Sequence, residues 1–146
     1  MRIAATLLAV LLTYAPLAAL AQSATPVGLW RTFDDATGHE RGLVRITEQN
    51  GMLYGAIEST IDPTEGQRLC TKCTDDRSDH RIIGLSIIRG LRREGNEWTD
   101  GTILDPETGS VYRCTLQLDP TGTRLIVRGY IGFSFIGRSQ TWLRTP

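Results

Sequence analysis

Between residues 27 and 144 the chain alternates apolar and polar side chains with a period of two, in short runs broken by turn signals. Val44 and Ile46, Leu53 and Ile57, Leu116 and Leu118, and Leu125 and Val127 each fall on one parity. That period places alternate side chains on opposite faces of a strand. No run sustains a 3.6-residue apolar period, and Leu85–Leu91 is the one ambiguous stretch. Asn50-Gly51 sits between two alternating runs, the composition a type I′ hairpin needs at its two positive-φ corners. "DDATG" (34–38), "DPTEG" (62–66), "REGNE" (93–97), "DPETG" (105–109) and "DPTG" (119–122) mark further turns. The pattern predicts eight strands, at 27–33, 41–49, 52–60, 81–92, 97–104, 110–118, 123–131 and 138–144. Consecutive antiparallel strands joined by short turns form a meander. Eight of them close into an up-and-down barrel, which leaves no exposed edge. The expected fold class is therefore all-β.

The first 21 residues do not belong to that pattern. Arg2 precedes an apolar run that ends in Ala19-Leu20-Ala21, the small-x-small pattern that signal peptidase reads. A membrane anchor needs about 20 apolar residues, and Tyr14-Ala15-Pro16 interrupts this run early. Residues 1–21 are expected to be a cleaved signal peptide and residues 22–146 a single domain, periplasmic or secreted. No transmembrane span is expected in the mature chain. Losing Arg2 with the leader leaves 15 basic against 16 acidic residues, a net charge of −1. So balanced a chain does not point to nucleic acid or an anionic membrane as its main partner.

Two features sharpen the barrel. Gly28-Leu29-Trp30 lies on the first strand and Trp142-Leu143-Arg144 on the last. Gly28, Trp30, Trp142 and Arg144 look like the closure pattern of the lipocalin superfamily, in which an indole packs across the barrel end and a guanidinium lies over it. "GLWRTFDDATG", "ITEQNGMLYGAIE", "LCTKC", "IIGLSIIRGL", "GTILDPETGSVYRC" and "VRGYIGFSFIGRSQTWLR" follow in that order. On these segments the chain resembles the bacterial family called domain of unknown function 2147 (DUF2147), from Val27 to Arg144. The Arg-Gly-Tyr…Gly-Arg-x-Gln-Thr-Trp ending is the most specific part. The resemblance implies an exported, lipocalin-like barrel. It supplies no established catalytic residue.

A direct search for reactive groups returns little. Gly137-Arg138-Ser139 lacks the lysine and helix of a phosphate loop. Gly132-Phe133-Ser134 begins a hydrolase elbow, but Ile136 stands where the closing glycine belongs. Only His39 and His80 are available to a triad. The pairs Asp34-Asp35 and Asp75-Asp76 read as turn caps rather than Ca²⁺ ligands or general acids. No catalytic residue, metal or cofactor is assigned, and the chain is read as a non-enzyme.

The three cysteines are Cys70, Cys73 and Cys114. A redox Cys-x-x-Cys belongs at a helix start in a βαβ unit, which this pattern lacks. A Cys₃His zinc site with His80 has allowable spacing, but an oxidising compartment makes a disulfide the simpler reading. Two pairings compete. Loop entropy values Cys70–Cys73 at ~2 kcal/mol and Cys73–Cys114 at ~4 kcal/mol. Cys114 shares its parity with Tyr112, Leu116 and Leu118, where a small buried thiol is common. Cys70–Cys73 with Cys114 buried and free is the reading taken.

A barrel of eight strands either fills itself or holds one small ligand. Val44, Ile46, Leu53, Ile57, Ile83, Leu85, Ile87, Tyr112, Leu116, Leu125 and Val127 are the expected lining. Arg128 beside Tyr130 is expected to turn inward and fix a ligand head group. "RGYIGFSFIGRSQTW" reads as the last hairpin, with Phe133, Phe135 and Ile136 as an apolar loop over a barrel end. The candidate ligand-binding set is thus Tyr112, Arg128, Tyr130, Phe133, Phe135 and Ile136. The expected function is binding of a small apolar or amphipathic molecule. Two other readings stay open: an envelope structural or protein-interaction module with a filled barrel, and a hydrolase.

Overall fold

In the computed structural model, which describes residues 24–133 and 136–146, Asn50 and Gly51 turn the chain with φ of 52° and 75°. Those are the two positive values the hairpin requires. The strands it joins are β2 (Glu40–Gln49) and β3 (Met52–Thr60). Around them lie β1 (Gly28–Phe33), α1 (Pro63–Gln67), β4 (Ser86–Glu94), β5 (Glu97–Asp105), β6 (Ser110–Leu118), β7 (Arg124–Tyr130) and β8 (Gly137–Arg144). Every strand pairs antiparallel with the next, and β1 pairs with β8 through Trp30↔Arg144 and Arg31↔Leu143. The sheet is a closed eight-stranded barrel. Among the described residues no helix is long and apolar enough to cross a membrane.

In a meander, alternate turns share an end of the barrel. The turns at 49–52, 94–97 and 118–124 lie at one end with the segment before β1. There Trp30 is fully buried, and its indole N–H donates to Pro26 O at 2.8 Å. The Arg144 guanidinium lies 4.3 Å above that ring. It donates to Gly122 O (2.6 Å), Val27 O (2.8 Å) and Thr25 O (2.7 Å), so one planar fork ties three chain segments into a lid. Burial pulls the Arg144 pKa below its ordinary value. Above the lid, Ile46, Leu53, Leu91, Leu116 and Leu125 are buried and fill this half of the barrel. Each such side chain contributes roughly 1.5–3 kcal/mol.

The expected strand at 81–92 begins at Ser86 instead, so the 62–80 loop extends to Leu85 and carries α1. Tertiary anchors hold this segment off the sheet. Asp62 caps α1 by accepting the Thr64 N–H at 2.8 Å. Cys70 and Cys73 form a disulfide, with Cα atoms 5.4 Å apart. Arg77, almost fully buried, chelates Asp75 and donates to Ser86 O at 2.9 Å. Asp75 is correspondingly held well below the usual carboxylate range, first by the Arg77 side chain. Arg89 reaches Asp76 at 2.8 Å. Gly84 has φ of 87°, which turns the chain just before β4.

Cys114 is a free, buried thiol on the inward face of β6, and burial pushes its pKa up to about 12. The alternative Cys73–Cys114 bridge and the Cys₃His zinc site are both replaced by the Cys70–Cys73 disulfide.

Candidate functional site

The other end of the barrel is open. The loops at 34–39, 61–85 and 106–109, with residues 131–133 and 136, surround its mouth, and a cavity of ≈ 1120 Å³ runs inward between them. Val44, Ile57, Ile87, Tyr112 and Val127 line it, as their parity predicts. Ile46, Leu53, Leu85, Leu116 and Leu125 do not. They are buried in the core outside the cavity lining. The barrel is therefore half filled: packed behind the lid and hollow toward the mouth. Ile83 departs further from expectation. It lies in the loop before β4, 39% exposed, against Gly66, where a Cβ would come within 2.5 Å of its Cδ1.

The registers explain which β8 side chains reach the cavity. Gly129 faces Cys114 on one side and Arg138 on the other, and Val127 faces Leu116 and Gln140. Directly opposed residues share a face, so Arg138, Gln140 and Trp142 follow one another down the inner wall. Trp142 Nε1 donates to Gln140 Oε1 at 3.0 Å, and Gln140 Nε2 donates to Asp35 Oδ2 at 3.0 Å. Arg138 Nη1 approaches the same oxygen at 3.5 Å. This places a polar ladder on one wall of an otherwise apolar chamber. Trp142, expected in the lid, belongs instead to this wall. It stands two residues before Arg144, one side-chain repeat nearer the mouth.

The same register corrects Arg128. It opposes Thr115 and Ser139 and so points outward, where its Nη1 donates to Ser139 Oγ at 2.9 Å. Val127 points in, so its neighbour on a regular strand cannot. Tyr112, Tyr130 and Ile136 do border the cavity. Phe133 is 68% exposed on the mouth loop and is not among the lining residues, while Phe135 lies outside the described residues. Ile61, Ile131 and Ile136 are also strongly exposed at the mouth.

Carboxylates dominate the rim. Asp34, Asp35, Glu40, Asp62, Glu65, Asp105 and Glu107 line the cavity, against Arg41 and Arg138. Some of them build turns. Asp34 Oδ1 accepts from the Ala36 and Thr37 N–H groups, and the Thr37 bonds hold its pKa below the ordinary value. Asp62 is lowered in the same way by the Thr64 hydroxyl and N–H. Asp105 caps the β5–β6 turn through Glu107 N and Thr108 Oγ1. Glu107 pairs with Arg41 at 3.0 Å, and Glu65 with Arg68 at 2.6 Å. The Asp34 turn cap follows the sequence reading; the ladder of Asp35, Arg138 and Gln140 does not. Its signal was present: Arg138 and Gln140 share the parity of Trp142 and Arg144. Among the described residues no group of three His, Cys, Asp or Glu side chains could hold a metal ion.

The family model described as "Uncharacterized protein conserved in bacteria (DUF2147)" matches residues 28–144. The chain belongs to this family. Among solved structures, it is similar to "Protein HP1028 from the human pathogen Helicobacter pylori", described as belonging to the lipocalin family. The two share 16% identity over 85% of each chain, with a TM-score of 0.74. At that identity the likeness speaks for the barrel alone. A search of curated proteins finds no significant match for this DUF2147 member.

Proposed function

We propose that this protein is a non-enzymatic binding barrel for a small apolar or amphipathic molecule. The observation that carries the reading is the half-filled interior. A barrel that serves only as a scaffold would pack both halves. Here a chamber of ≈ 1120 Å³ has apolar inner walls, a polar ladder down one side and a charged rim at its mouth. Small-molecule sites have that character, mostly apolar with sparse polar groups that set orientation. Tyr112, Tyr130 and Ile136 border the chamber and are the proposed ligand contacts, with exposed Phe133 nearby as a proposed contact at the entry. The N-terminal 21 residues are proposed to direct export, with maturation at Gln22, and the Cys70–Cys73 disulfide suits a periplasmic or secreted location.

Gly129 offers the test. A Cβ there would sit 3.4 Å from Ile103 Cγ2 and 3.6 Å from Tyr112 Cβ, ordinary contact distances. Gly129→Phe should therefore project a ring into the chamber with little backbone cost. Wild type should bind an environment-sensitive apolar fluorophore, and Gly129→Phe should lose that binding while its urea melt shifts by about 1 kcal/mol or less. Undiminished binding by a folded Gly129→Phe protein would place the ligand elsewhere.

A second reading draws on a specific observation. Ile131, Phe133 and Ile136 expose 71%, 68% and 59% of their surface on one short loop, more apolar area than an isolated surface residue needs. If wild type binds no probe, this loop becomes the contact surface of an envelope partner protein.

A further inference from the structure

The sign of the charge at the mouth bears on which molecule enters. Seven carboxylates line the cavity against two guanidiniums. Arg68 and Lys72 stand behind the rim, on Glu65 and on Glu107 O, so the cations number four at most. Both rim guanidiniums stand beside carboxylates, Arg41 on Glu107 and Arg138 on Asp35, so their charge is already offset. Several carboxylate oxygens, by contrast, are open. Among the described residues Glu40 has no ion pair or side-chain hydrogen bond, and the Asp34 cap uses only Oδ1. Asp35 accepts from Arg138 and Gln140 through Oδ2 alone. Asp34 and Asp35 lie in the 34–39 loop and Glu40 follows it, and all three border the chamber.

We infer that the occupant is a cationic amphiphile, with an amine or quaternary ammonium head held by Asp34, Asp35 and Glu40 and an apolar body against Val44, Ile57 and Val127. This rests on the ligand-binding reading above and names its substrate class. The apolar chamber and the unbalanced rim are separate observations, and each constrains one end of the molecule. Charge in a cleft with low-dielectric walls is felt more strongly than on an open surface. An anionic head such as a fatty-acid carboxylate would meet repulsion there from the excess of carboxylates. Phe33 and Tyr130 also border the mouth, and aromatic residues there are compatible with a quaternary ammonium.

Three probes with one chain and different heads separate the possibilities: dodecyltrimethylammonium, dodecanol and dodecanoate, each titrated below micelle formation. The expected order is cation, then neutral, then anion. The cation should bind about tenfold tighter than the anion at low salt, with the ratio falling toward one as salt screens the rim. Glu40→Gln with Asp35→Asn should collapse the order. Glu40→Gln alone, which removes no observed contact, should reduce it without touching the fold. Glu48→Gln, an exposed carboxylate beside the lid-end hairpin, should leave it intact. Equal binding of all three probes, or preference for dodecanoate, overturns the charge inference and leaves the binding reading standing. Binding of none by folded protein overturns both.

Discussion

Replacing Gly28 by alanine should damage the barrel lid in two separable ways. Gly28 has φ of +141°, which side chains other than glycine rarely adopt, and forcing alanine there costs of order 1–3 kcal/mol. A Cβ would also lie 2.6 Å from Arg144 Nη1. A guanidinium on a flexible arm can usually retreat, but this one is pinned by Gly122, Val27 and Thr25. Retreat sacrifices at least the bond from Nη1 to Val27 O, a hydrogen bond from a charged donor worth roughly 1.5–3 kcal/mol. Gly28→Ala should therefore cost about 3–5 kcal/mol in wild type. In an Arg144→Ala background nothing remains to collide with, and only the backbone strain should persist, about 1–3 kcal/mol. The four proteins of this cycle, melted in urea at constant slope, should show a coupling of about 1.5–3 kcal/mol. Additivity within about 0.5 kcal/mol would refute the claim that Gly28 is glycine to admit the guanidinium. Folded members of the cycle should bind apolar probe like wild type, because the lid and the mouth are opposite ends.

Two further expectations concern other parts of the chain. Burial raises the Cys114 thiol to about 12, above the ~8.5 of an unfolded cysteine, so its stabilisation is complete below pH ~8.5 and is lost as pH rises toward 12. Relative to Cys114→Ala, wild type should lose about 2 kcal/mol between pH 8 and pH 10 in urea melts, and parallel curves would show that the thiol ionises freely in the fold. Protein recovered from the envelope should begin at Gln22 by intact mass; retention of residues 1–21 there would contradict the leader reading.

The strand pattern was legible because it is local. Asn50-Gly51 carries its turn type in two residues, and the Gly28-x-Trp30 and Arg144 pair specified closure from the chain's two ends. The error at 81–85 has a long-range cause. Ile82, Ile83 and Leu85 read as strand, yet Arg77 and the disulfide hold the segment as a wall of the mouth. Arg128 was misplaced for a different reason: Leu125 and Val127 already set the inward parity, and an inward Arg128 beside Val127 contradicted it. Half-filling could not be read at all. Ile46 and Val44 look alike in sequence, and only their height along the barrel makes one core and the other cavity wall.

That difference in height divides the molecule's tasks. Behind the lid, fully buried side chains and the Arg144 fork supply stability, and substitutions there are felt by the whole sheet. At the mouth, the turns at 34–38, 62–64 and 105–108 are capped by their own aspartates, while the rest of the 61–85 loop is anchored by Arg77 and the disulfide. The Glu40 side chain makes no ion pair or side-chain hydrogen bond among the described residues, although its backbone pairs with Phe33. A barrel of this kind can keep its closure and change its occupant, since the residues that would choose a ligand are not those that hold the strands together. Under the binding proposal, ligand preference would be set by this chain's own rim, at Asp34, Asp35 and Glu40, and not by the barrel itself.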